Sequence, residues 1–122
     1  MEKYIQTGNV IVDNSFLFAV RVVRFYKYLY FEKKESVLSK QILRLGTSIG
    51  ANVKEAIRGQ TDADFYSKMN IALKEASETE YWIELLYSTE IIDNNCYNSL
   101  IEDCRELIRI LTAITKKQHN TN

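Results

Sequence analysis

Four carboxylates crowd the stretch KEASETEYWIE: Glu75, Glu78, Glu80 and Glu84. At such spacing on a helix, carboxylates can serve as ligands of a di-metal site in a helical bundle, where Glu-x-x-His pairs complete the set. The chain has a single histidine, His119, near its C-terminus, so no histidine can complete such a site. The same shortage removes a base for Ser48, Cys96 or Cys104 as nucleophile. Gly46 and Gly50 fall inside a helical pattern rather than after a strand, which is not the setting of a phosphate loop. The carboxylate run therefore reads as a solvated or ion-paired face. No enzyme, no metal site and no cofactor are expected. Cys96 and Cys104 lie eight residues apart. On one helix that is about 12 Å of rise, too far for a disulfide. They read as free thiols on a buried stripe in a reducing compartment, which places the protein in the cytoplasm.

A second group could bind phosphate. Arg21, Arg24 and Lys27 form a ridge, and Lys33, Lys34 and Lys40 follow it, as candidates for contact with a nucleic acid or another partner. A solvated stripe that keeps an apolar helix soluble explains the ridge equally well. Sixteen basic residues balance sixteen acidic ones overall. Residues 1–60 hold ten basic against five acidic, and residues 61–122 six against eleven, so the two halves carry opposite charge. That asymmetry suits two mutually attracting hairpins or a head-to-tail oligomer.

The elements that position these groups are helices. Proline is absent, where average usage would give about six. The pattern predicts an all-α, antiparallel up-down-up-down four-helix bundle over residues 14–118. A partly extended N-terminal arm, 1–13, precedes it, and a disordered tail, 119–122, follows. Ser36 is the expected N-cap of the second helix and Gly59 its stop; Thr61 with Asp64 opens the third, and Asp93 caps the fourth. Connections of a few residues force sequential helices to be antiparallel. The longest apolar run, Phe16 to Phe31, is broken by Arg21, Arg24 and Lys27, so no membrane span is expected.

Alternating steps of three and four define the seams. The second helix offers Leu38, Ile42, Leu45, Ile49, Asn52 and Ala56; the third Phe65, Met69, Ala72, Ala76, Thr79, Ile83 and Leu86; the fourth Tyr97, Leu100, Cys104, Leu107, Leu111 and Ile114. The first helix has two seams. Phe16, Ala19, Val23, Tyr26 and Tyr30 form one, and Phe18, Val22, Phe25 and Leu29 the other, nearly opposite at about 100° per residue. A peripheral helix in a monomer needs only one, so Phe18, Val22, Phe25 and Leu29 are the candidate oligomer interface. Gly46 and Gly50, one turn apart in mid-helix, mark close approach of another helix, within or between protomers.

Arg44, Asn52, Glu55 and Glu78 read as a structural polar network at the contact of the second and third helices. Gln41-Ile-Leu-Arg44, then Thr47-Ser48-Ile49-Gly50-Ala51-Asn52-Val53-Lys54-Glu55-Ala56, then Ile71-Ala72-Leu73-Lys74-Glu75-Ala76-Ser77-Glu78-Thr79-Glu80 resemble a bacterial four-helix-bundle family. That family includes the proteins encoded in intervening sequences of 23S rRNA genes and the accessory variability protein of diversity-generating retroelements. Ala56-Ile57 departs from its frequent Glu-Gly. The resemblance implies a homo-oligomer, commonly a pentamer with a central channel, and in the retroelement branch an RNA or nucleoprotein partner. It also implies that Arg44, Asn52, Glu55 and Glu78 are structural. The resulting expectation is a non-enzymatic pentameric scaffold that binds RNA or a nucleoprotein. The alternative is a protein-interaction adaptor with no nucleic-acid role.

Overall fold

The computed structural model describes residues 4 and 6–120, the side chains of residues 119 and 120 excepted. Four helices account for nearly all of it: α1 (Val10–Phe31), α2 (Leu38–Ile57), α3 (Asp62–Ser88) and α4 (Asn94–Asn120). Each helix packs on the next, and α4 returns more lightly to α1, while the backbones of the diagonal pairs stand farther apart. The architecture is the expected all-α four-helix bundle.

Capping explains the boundaries. The Asn9 side chain accepts from Val12 N at 3.4 Å and starts α1 at Val10. The β-branched Val10-Ile11-Val12 is therefore the first turn of α1, not an extended arm; Ile11, packed into the core, overrides local propensity. At the start of α2 the cap is Glu35 rather than Ser36. Its carboxylate accepts from the backbone N–H groups of Val37, Leu38 and Ser39 at 3.0, 2.9 and 2.7 Å. A carboxylate there also meets the positive end of the helix dipole. Burial pushes the Glu35 carboxyl up, but these three donors win and hold it below its ordinary range. Thr61 Oγ1 accepts from Asp64 N at 3.1 Å, and Asp93 Oδ1 from Cys96 N at 2.8 Å, as the sequence predicts. The fourth helix runs on through Asn120, past the expected end of the bundle at residue 118; residues 121 and 122 of the expected tail lie outside the described residues.

The core follows the three predicted seams. Ile42, Leu45, Ile49 and Ala56 are buried on α2, where Val53 and not the predicted Asn52 is the fully buried residue between them. So are Met69, Ala72, Ala76, Thr79, Ile83 and Leu86 on α3, and Leu100, Cys104, Leu107 and Leu111 on α4. Each fully buried Leu or Ile contributes about 1.5–3 kcal/mol over its exposed state. The seam that α1 turns inward is Phe18, Val22, Phe25 and Leu29, all buried. This corrects their assignment as the oligomer interface: α2 and α4 of the same protomer cover them, so they are unavailable to a second copy. Gly46 explains the choice of face. A Cβ at position 46 would lie 2.7 Å from Cγ2 of Val22, and one at position 50 would lie 3.2 Å from the backbone oxygen of Ser15. The glycine pair is therefore the seat of α1 on α2, a contact within the protomer.

Candidate functional site

With its other seam inside, α1 leaves Phe16, Val23 and Tyr30 exposed, with Ala19 and Tyr26 half-buried beside them. Beside α2 the N-terminal part of this seam forms an open groove of about 570 Å³, walled by Val12, Phe16 and Ala19 from α1 and by Gly50, Ala51 and Ile57 from α2. Lys54 and Arg58 stand at its rim. The groove is apolar because Gly50 and Ala51 keep that part of α2 low, and Phe16 rises above it.

The segment before α1 closes one end. Tyr4 stacks on Phe16 with ring centroids 4.3 Å apart. Its hydroxyl donates to Asp13 Oδ1 at 2.7 Å, which also accepts from Thr7 N and Thr7 Oγ1, both at 2.9 Å. Gly8 N donates to Oδ2 at 3.2 Å, with Gly8 in the left-handed region at φ 85°. The backbone donor of Thr7, helped by the Tyr4 and Thr7 hydroxyls, holds the Asp13 carboxyl below its ordinary range; the shared proton pushes Tyr4 up. Sequence reasoning missed this knot. An aspartate one turn into a helix looks like a dipole-favoured surface charge, and nothing in its neighbours marks the bonds to Tyr4, Thr7 and Gly8.

Along the opposite flank of α2 lies the polar cluster. Asn52 Nδ2 donates to Ser48 O at 3.1 Å and to Glu75 Oε1 at 2.7 Å. Glu75, not Glu78, is thus the acceptor that the Asn52 side chain meets. Burial, together with the neighbouring Glu78, pushes the Glu75 carboxyl up, while Asn52 and Arg44 pull the other way. Arg44 is exposed and bonds Gln41, and Glu55 reaches outward to Lys68 at 3.8 Å. The four residues expected to form one network therefore lie along one contact without closing into a ring. The other two carboxylates of the run diverge: Glu80 and Glu84 both meet Arg105 of α4, at 2.8 and 3.5 Å. Among the described residues, no group of three or more His, Cys, Asp or Glu is placed to hold a metal ion.

The basic candidates separate in space. Arg21 pairs with Asp103 at 2.6 Å and bonds Ser99, tying α1 to α4. Arg24, Lys27, Lys33, Lys34 and Lys40 are exposed, with Lys33 over the Tyr28 ring at 5.9 Å. Of the two thiols, Cys104 is buried, and Sγ–H donates to Ala76 O at 3.3 Å. Burial first, then the Glu80 charge, pushes it up to about 12, which makes it inert at neutral pH.

The model of the 23S rRNA-intervening sequence protein family matches residues 8–113. The chain belongs to this family. A solved structure, described as a protein with unknown function from the S23 ribosomal protein family of Bacteroides thetaiotaomicron VPI-5482, is similar at 56% identity. It matches with a TM-score of 0.87 over 88% of this chain and 96% of that one. Comparison with curated proteins finds no match. The match of the 23S rRNA-intervening sequence protein family spans the buried apolar core from Ile11 to Leu111, and leaves out Tyr4 and Thr7 of the Asp13 knot. Neither description names a reaction or a ligand. Among the described residues, no helix of this family member is long and apolar enough to cross a membrane.

Proposed function

We propose that this 23S rRNA-intervening sequence family member is a non-enzymatic scaffold that self-assembles, as a pentameric ring, through the α1/α2 groove. The observation that carries the reading is the apolar groove itself, walled by Val12, Phe16, Ala19, Ala51 and Ile57 and rimmed by Lys54 and Arg58. Contiguous apolar surface with a polar rim is the anatomy of an interaction face, whereas singly scattered apolar residues are not. Light scattering at tens of micromolar tests it. The expected mass is five times the 14.2 kDa protomer; a mass equal to one protomer would refute assembly.

An RNA or nucleoprotein partner is the second part of the reading, supported by the exposed Arg24, Lys27, Lys33, Lys34 and Lys40. Such contacts release counterions, so binding should fall steeply with salt. Charge reversal at Lys27 and Lys34 should weaken retention of the protein on an RNA column at low salt. No retention of the wild type would leave an adaptor for proteins alone, and a single nuclease-insensitive partner in a pull-down would then be expected.

A further inference from the structure

The groove leaves open which surface fills it, and α3 offers one that matches. Ile71, Lys74, Glu78 and Tyr81 follow each other at steps of three, four and three, so they share one face of the helix. Ile71 and Tyr81 are 40% and 59% exposed, which makes two large apolar knobs on an outer surface that no element of the protomer covers. At 1.5 Å per residue the knobs stand about 15 Å apart, and Thr47 and Ile57, at the two ends of the α2 wall, are also about 15 Å apart. Charge matches as well. Lys54 and Arg58 rim the groove. Between the knobs the stripe carries Glu78 as the carboxylate that faces such a rim, while Glu75 beside it is held by Asn52 of its own protomer. The whole chain repeats this polarity, basic in residues 1–60 and acidic in 61–122.

From this match we infer that the α3 stripe Ile71–Tyr81 of one copy docks in the α1/α2 groove of the next. The inference rests on the self-assembly reading above and adds the identity of the two mating faces. Because no residue of α3 lines the groove, the stripe and the groove are separate surfaces. One protomer can therefore use both at once. Contact between two different patches is heterologous: it propagates head to tail and closes only as a ring, never as a two-fold dimer.

Complementation between two interface variants tests the inference. Phe16→Asp spoils the groove and Tyr81→Asp spoils the stripe, and both positions are exposed. Helicity should therefore stay near wild type and unfolding should remain cooperative, with a lower melting temperature where assembly is lost. Each variant alone should be a monomer, with self-association weakened at least tenfold. Mixed in equal amounts, they should form a one-to-one dimer and nothing larger, since only the intact stripe of the Phe16→Asp chain and the intact groove of the Tyr81→Asp chain remain. Tyr81→Asp assembling like wild type would overturn the inference, because the groove would then mate with something other than the stripe. Two folded monomers that fail to pair on mixing would overturn it too. A monomeric wild type would instead refute the self-assembly reading itself, before either variant is made.

Discussion

Two seams run along α1, one of Phe, Val and Leu and one that includes two tyrosines, and the bundle treats them oppositely. Phe18, Val22, Phe25 and Leu29 are 3, 0, 8 and 0% exposed, whereas Phe16, Val23 and Tyr30 are 44, 37 and 41% exposed. Periodicity finds both seams with equal ease, because it reports what is apolar and not what is covered. The difference comes from α2. Gly46 presents no side chain, and Val22 fills that space, so the two helices meet along the Val22 side. The other seam is left outside, and its Phe16 and Ala19 line a groove with Gly50 and Ala51, Tyr4 stacking on Phe16. One seam holds the protomer together; the other is a surface available to a partner.

Substitutions should separate the seams most clearly in stability. Phe25→Ala leaves a cavity in the core and should cost about 3–5 kcal/mol. Phe16→Ala loses mainly its stack with Tyr4, about 0.5–1.5 kcal/mol. Urea unfolding of the two variants side by side measures the gap, and equal losses would mean that the seams are not distinguished by burial.

A smaller effect is expected where the seam choice is made. Gly46→Ala must displace a fully buried Val22, a strain of about 1–3 kcal/mol, offset by roughly 1 kcal/mol of helix propensity. The net should be a modest destabilisation, visible as a lowered urea midpoint. Gly50→Ala, with 3.2 Å to the Ser15 oxygen, should lose less. A stabilised Gly46→Ala would show that close approach is not what orients α1.

The smallest change concerns the exposed seam and pH. The Asp13 carboxyl is held below its ordinary range, so the knot contributes stability that is fully present above the ordinary aspartate range. That contribution is lost as pH falls through the lower folded value. Glu75 has the opposite sign: its carboxyl is pushed up, so its ionised form opposes folding, and that cost is relieved as pH falls through the raised value. Asp13→Asn should therefore flatten the acid limb of the stability curve and loosen Tyr4 from Phe16. Glu75→Gln should steepen the acid limb slightly. Melting temperatures between pH 3 and 7, a span chosen about the carboxylate range, read both.

Much of this was legible in the sequence, for physical reasons that can be named. The seams of α2, α3 and α4 were plain because on each of those helices one stripe keeps the three-and-four spacing of apolar residues along its length, and such a stripe must face the core. Thr61 and Asp93 were legible because capping is local chemistry, settled within three residues. The cap of α2 was missed since Glu35 works through its longer side chain, reaching three N–H groups that a serine at position 36 seemed suited to serve. Asn52 was recognised as needing a partner, but the choice of Glu75 over Glu78 depends on the rotation of α3 against α2, which no local pattern encodes. The same limit applies to the groove. Its walls come from two helices, and only the packing of Val22 on Gly46 decides that they stand together.

The central claim is that the exposed seam of α1 is an assembly surface. Light scattering of wild type and Phe16→Asp at the same concentration tests it most directly. The account predicts an oligomer for the wild type and a folded monomer for the variant. A wild type that is monomeric, or a Phe16→Asp variant that keeps the wild-type mass, would contradict it.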